Sequence, residues 1–194
     1  WKKIKKYCEK KNIVFLSSPF SIKAAKMLKR IGMNAWKIGS GEFFSKNLIK
    51  YISKFQQTML LSTGLANYND INKTLRFLKP KNKKIILLQC TSEYPSKIKR
   101  VGVNIVKEFQ EKYNLFVGLS DHSGSVIPSI NALNLGAKVV EVHVKLDNNT
   151  ENPDQSSSID LKSLTFLCNA REEIHTILKN PLKKNKLIRD QLKN

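Results

Sequence analysis

The chain has 194 residues, enough for one sizeable core, with Lys+Arg 35 against Asp+Glu 15 and a formal charge of +20. No apolar run approaches the length of a membrane span, no signal-peptide pattern opens the chain, and three scattered cysteines without C-x-x-C spacing exclude a disulfide framework or a cysteine zinc site. A soluble cytoplasmic protein is expected, with no membrane partner. The charge raises a nucleic-acid partner, but the lysines are spread over every helix and no nucleic-acid-binding signature accompanies them. A basic surface still favours small anionic substrates through steering.

In chain order, residues 2–11 read as a helix tail, with Ile4, Tyr7 and Cys8 on one face. The run Ile13-Val14-Phe15-Leu16 reads as a short strand ending in Ser17-Ser18-Pro19. Ser21 caps a helix over about 22–32, which Gly32 closes. The same unit then repeats, with strands expected over about 35–38, 58–61, 84–90, 115–118 and 139–144. Helices are expected over about 45–54, 69–78, 102–112, 125–135 and 161–178, with a loop from the last strand to Asp160. Residues 179–194 are a basic tail. Six strand–helix units without hairpin signals argue for a parallel α/β sheet. The expected class is a (β/α)8 TIM-barrel type with six of eight units present and the first two missing, which fits a start at Trp1 within a helix. A six-stranded open sheet is the alternative.

The strand ends carry the polar chemistry. Gly118-Leu119-Ser120-Asp121-His122-Ser123-Gly124 follows one apolar run, and Val139 to Val144 carries His143 near its end. If the two strands are neighbours, His122 and His143 share one rim and can hold a divalent metal with positions left open. The alternative is two polar strand ends. Ser18, Ser40, Ser62, Ser92 and Ser120 stand at successive strand ends, where hydroxyls and amides suit a phosphate or carboxylate, or are ordinary turn chemistry. Lys37 sits inside a strand, and if buried it needs an anion. Glu42 reads as a catalytic acid or a helix-entry acid, Asp154 as a turn former, and His175 as a surface residue.

The segments FLSSPFS (15–21), KIGSGE (37–42), LSTG (61–64), LQCTSEYP (88–95), GLSDHSG (118–124), LGAKVVEVH (135–143) and NPDQSSS (152–158) together resemble the barrel domain of the sialic acid synthases, which make N-acetylneuraminate and related nonulosonates. They occur in family order and cover most of residues 3–178. The resemblance implies a transferase that condenses phosphoenolpyruvate with an N-acyl hexosamine such as N-acetylmannosamine and releases phosphate. It implies a divalent metal, Mn2+ or Mg2+, on His122 and His143. Ser18, Lys37, Ser40, Ser62, Ser92 and Ser120 match residues that hold phosphoenolpyruvate. Glu42 matches a catalytic acid, Asp154 an acid on the sugar hydroxyls, and Tyr94 a residue near the sugar. A homodimer is implied for the full-length protein.

There are departures. Val142 replaces a basic residue before the second histidine, Val144 and Lys145 replace the aromatic or branched residue and the threonine after it, and Asn152 replaces a glycine. The family's first two strands, with an acid and a second lysine, have no counterpart, nor does its C-terminal antifreeze-like domain. The chain by itself is therefore expected to turn over poorly, and a non-catalytic remnant or binding module of the same fold is the second reading. The sugar is not fixed, although KIGSGE and GLSDHSG lean toward the neuraminate or legionaminate branches.

Overall fold

The computed structural model describes residues 1–78, 84–147 and 152–182. Its strands are β1 (Ala35–Ile38), β2 (Thr58–Ser62), β3 (Ile85–Cys90), β4 (Phe116–Asp121), β5 (Val139–Val144) and β6 (Ser158–Ile159). All pair in parallel in the order β1-β2-β3-β4-β5-β6. The helices are α1 (Lys2–Lys10), α2 (Ile22–Arg30), α3 (Lys46–Ser53), α4 (Tyr68–Leu78), α5 (Asn104–Tyr113), α6 (Ile127–Asn134) and α7 (Leu161–Lys179). Sequential parallel order with a helix after each of the first four strands, and α7 after β6, is the winding of a barrel wall, here an open half-barrel. Ser21 caps α2, its hydroxyl accepting from the Ala24 amide at 3.1 Å, and Asp160 caps α7 from the Ser163 amide at 2.7 Å.

The sheet sorts its side chains by the period of two. Trp36, Ile38, Met59, Leu61, Leu87, Val117 and Leu119 point to the helix side, where they join Leu28, Ile49, Ile52, Leu75, Val106 and Phe109 in one core. Trp36 is fully buried, stacks on Phe55 at 5.4 Å between centroids, and donates through Nε1 to Gln57 Oε1 at 2.9 Å. Lys37, Ser62, Cys90, Ser120, Glu141 and His143 are the alternate residues, on the opposite face. A smaller cluster of Leu133, Ile159 and Leu167 seats α6 and α7 against β5 and β6.

Two expectations need correction. Residues 13–16 form no strand: Ile13 and Val14 are 62% and 81% exposed, and the segment pairs with no strand among the described residues. Its apolar run fits a buried strand, but only a neighbouring backbone turns such a run into one. Conversely, the expected loop before Asp160 contains β6, whose Ser158 and Ile159 pair with His143 and Val144. Two residues are too few for periodicity to reveal. The strand number expected thus holds with one member exchanged. Most of the expected tail, residues 183–194, lies outside the described residues.

Gly118 sets the spacing of β4 and β5. A Cβ there would lie 2.2 Å from the Val139 carbonyl oxygen and 2.7 Å from Leu88 Cδ2. The first is backbone of the paired strand and cannot rotate away. Gly118→Ala is expected to destabilise the chain by about 3 kcal/mol, in the range for overpacking a close-packed interior, read from the urea unfolding midpoint. A midpoint within experimental error of the parent would show that the strands separate freely at this point.

Candidate active site

Parallel pairing carries the polar side chains to one rim, and the register aligns some of them. Cys90 pairs with Ser120, and Ser120 with Glu141, so the three stand in one row across β3, β4 and β5. Ser120 is 3% and Cys90 4% exposed. Burial raises the pKa of the Cys90 thiol, against the Ser120 and Ser40 hydroxyls and the Lys37 charge, which favour its thiolate. Lys37 is 7% exposed, and its ammonium lies 3.2 Å from Glu141 Oε2. The anion that a buried Lys37 requires is therefore supplied by the protein itself, from β5 to β1. Glu141 and Cys90 were not singled out in the sequence. The alternation of Val140, Glu141, Val142 and His143 would have placed Glu141 on the face of His143.

The serines divide. Ser92 donates to Ser40, Oγ to Oγ, at 2.8 Å. A Cβ on Gly64 would come within 2.2 Å of Ser40 Cβ and 2.4 Å of Ser92 Oγ, so this glycine leaves room for the pair. Ser62 Oγ is buried with no hydrogen-bond partner, a polar atom free to bind a ligand. Ser18 is half-buried and makes no hydrogen bond to the other candidates among the described residues. Glu42 lies in the turn before α3, its amide donating to the Gly39 carbonyl at 3.1 Å and its carboxylate over Gly39. It is thus not a helix-entry acid. A cavity of about 600 Å3 opens beside this rim, lined among others by Thr63, Gly64, Asn67, Ser92, Glu93 and Arg100. Neither imidazole lines it.

The two histidines are brought together. Their rings sit 5.3 Å apart between centroids, at 61°. His122 Nδ1 donates to the Thr91 carbonyl at 2.8 Å, which puts the proton on Nδ1 and leaves Nε2 as the acceptor. Burial lowers the pKa of His122 and favours the neutral ring. The Tyr94 hydroxyl donates to Nε2 at 3.0 Å, and burial pushes the pKa of Tyr94 up to about 12, so the phenol keeps its proton. His143 Nδ1 lies 3.6 Å from Asp154 Oδ2. Asp121 precedes His122 and takes the amide and hydroxyl of Ser123 at 3.1 and 2.8 Å. This turn holds the loop that presents His122. The donor set fits a divalent cation through two neutral-capable imidazoles at one rim, although no group of three or more His, Cys, Asp or Glu gathers among the described residues.

A half-barrel whose strand ends collect a lysine, serines, a buried thiol and an imidazole pair has the arrangement of a TIM-barrel-like enzyme site. The chain belongs to the NeuB family, whose model matches residues 1–183. The N,N'-diacetyllegionaminic acid synthase of Campylobacter jejuni is 35% identical over 92% of this chain and 54% of its own length. The pseudaminic acid synthase of the same species is 33% identical over 88% of this chain and 50% of its own length. The crystal structure of the N-acetylneuraminic acid (sialic acid) synthetase of Leptospira borgpetersenii, in complex with citrate, superposes with a TM-score of 0.91 at 29% identity, over 99% of this chain and 67% of that one. The chain spans about half the length of the two Campylobacter synthases. No helix among the described residues is long and apolar enough to cross a membrane.

Proposed function

We propose that this chain forms the strand-end site of a nonulosonate synthase, which joins phosphoenolpyruvate to an N-acyl hexosamine and releases phosphate. The observation that carries the reading is the buried Lys37 sharing a rim with the Ser40–Ser92 pair and the two imidazoles. C3 of phosphoenolpyruvate attacks the sugar aldehyde, water adds at C2, and phosphate leaves with cleavage of the C–O bond. Lys37 supplies positive charge to the phosphate or carboxylate, and Ser62, Ser120 and the Ser40–Ser92 pair supply directed donors. Ser18 completes that set when substrate is bound. Glu42 handles the proton of the attacking water, and Asp154 and Tyr94 meet the sugar hydroxyls. His122 and His143 hold a divalent cation, Mn2+ or Mg2+, which polarises the aldehyde oxygen when bound. The formal charge of +20 draws the anionic phosphoenolpyruvate toward the protein. The proposed setting is the cytoplasm, with residues 1–178 as the barrel segment and a homodimer as the whole protein.

Coverage of about half of each relative favours a second reading, a module that binds these ligands without turnover. The test is inorganic phosphate release from phosphoenolpyruvate and N-acetylmannosamine with Mn2+, alongside binding of each ligand by titration. Release that requires the sugar supports the synthase. Binding of phosphoenolpyruvate and Mn2+ without release selects the module. Binding of neither overturns both.

A further inference from the structure

One short segment grips His122 at three points. Thr91 accepts the Nδ1 proton at 2.8 Å. Tyr94 lies on the imidazole face, with centroids 4.0 Å apart and planes 22° apart. The Ser96 amide donates to the His122 carbonyl at 3.0 Å. Tyr94 also meets His143 edge-on, with centroids 5.7 Å apart. It is therefore in contact with both imidazoles. Half of it remains exposed, so it contributes little to the core and its contacts are concentrated on the two rings.

A histidine ring turns easily about its last side-chain bond, because that torsion is broad and two-fold. The hydrogen bonds at Nδ1 to Thr91 and at Nε2 from the Tyr94 hydroxyl fix two points of the ring and leave it free to rock about the line between them. The Tyr94 ring removes that freedom, since any rotation of the imidazole drives an edge into the phenol face. We infer that Tyr94 is a positioning residue that locks the plane of His122 and so aims Nε2 into the space shared with His143. This role is separate from contact with the sugar and belongs to the free protein. It rests on the reading of the imidazole pair as a metal site, and adds to it the means by which the pair is held ready.

The distinguishing variants are Tyr94→Leu, which removes the flat face, and Tyr94→Phe, which keeps it and removes the hydroxyl. Two measurements are made on each. Mn2+ affinity is expected to fall about tenfold in Tyr94→Leu and to stay within about threefold in Tyr94→Phe, as for a residue that orients a ligand. Nitrogen NMR of His122 without metal is expected to show one tautomer, protonated at Nδ1, in the parent and in Tyr94→Phe, and averaged tautomer signals in Tyr94→Leu. A Tyr94→Leu protein with the parental affinity and a single tautomer overturns the inference, as does a Tyr94→Phe protein that falls as far as Tyr94→Leu. If the parent binds no Mn2+, the metal reading fails by itself, and the nitrogen spectra alone decide whether Tyr94 locks the ring.

Discussion

His122→Ala is expected to remove Mn2+ binding by this chain, with affinity falling about a hundredfold or more in an electron paramagnetic resonance titration. Any metal-dependent phosphate release should fall with it. The residue is suited to the role by its surroundings. Burial keeps its ring in the neutral form, the Thr91 carbonyl holds the proton on Nδ1, and Nε2 remains as the donor. With the ring gone, His143 is left as a single imidazole near Asp154, a far weaker set. His143→Ala should have a similar effect, because each histidine supplies half of the pair. His175→Ala is the control, since His175 is exposed on α7 and should leave binding unchanged. A His122→Ala protein that binds Mn2+ within about threefold of the parent would rule out the assignment.

Lys37→Met is expected to weaken phosphoenolpyruvate binding about a hundredfold in a phosphorus NMR titration, or about 3 kcal/mol, the upper range for a hydrogen bond to a charged group. Methionine keeps most of the length and apolar stem of lysine, so the change isolates the charge. The substitution also costs stability. The Glu141 side chain as a whole is 42% exposed, but Oε2, the oxygen that faces the ammonium, is buried with no hydrogen-bond partner and is left unpaired. The stability cost is expected at about 1–3 kcal/mol, the scale of an unsatisfied buried polar atom. Loss of binding in a protein that still folds identifies Lys37 as a ligand residue. The reverse outcome, unfolding with substrate affinity retained, would make the Lys37–Glu141 pair a strut between β1 and β5.

Much of the fold was legible because parallel strands and amphipathic helices write themselves locally. The runs at 58–61 and 84–90 are largely apolar and end at Ser62 and Thr91, the run at 139–144 is rich in valine, and five of the six strands stand where such runs are. The failure at 13–16 has a single cause. A strand is a relation between two backbones, and composition reports only one of them. The failure at Ser158–Ile159 is the same fact reversed, since two residues in a polar loop become a strand because His143 and Val144 lie alongside.

The candidate site follows that division. The sequence by itself determined which groups are available: two histidines at strand ends, a lysine within a strand, hydroxyls at successive turns, and a glycine at 118. Only the tertiary structure decided which of them meet. It joined Ser92 to Ser40, Lys37 to Glu141 and Tyr94 to both imidazoles, and gave Ser18 and Glu42 no side-chain hydrogen bond to the others among the described residues. These contacts link residues on different strands and turns, and their distances depend on sheet curvature and register. Those are properties of the assembled sheet, and no stretch of local sequence encodes them alone.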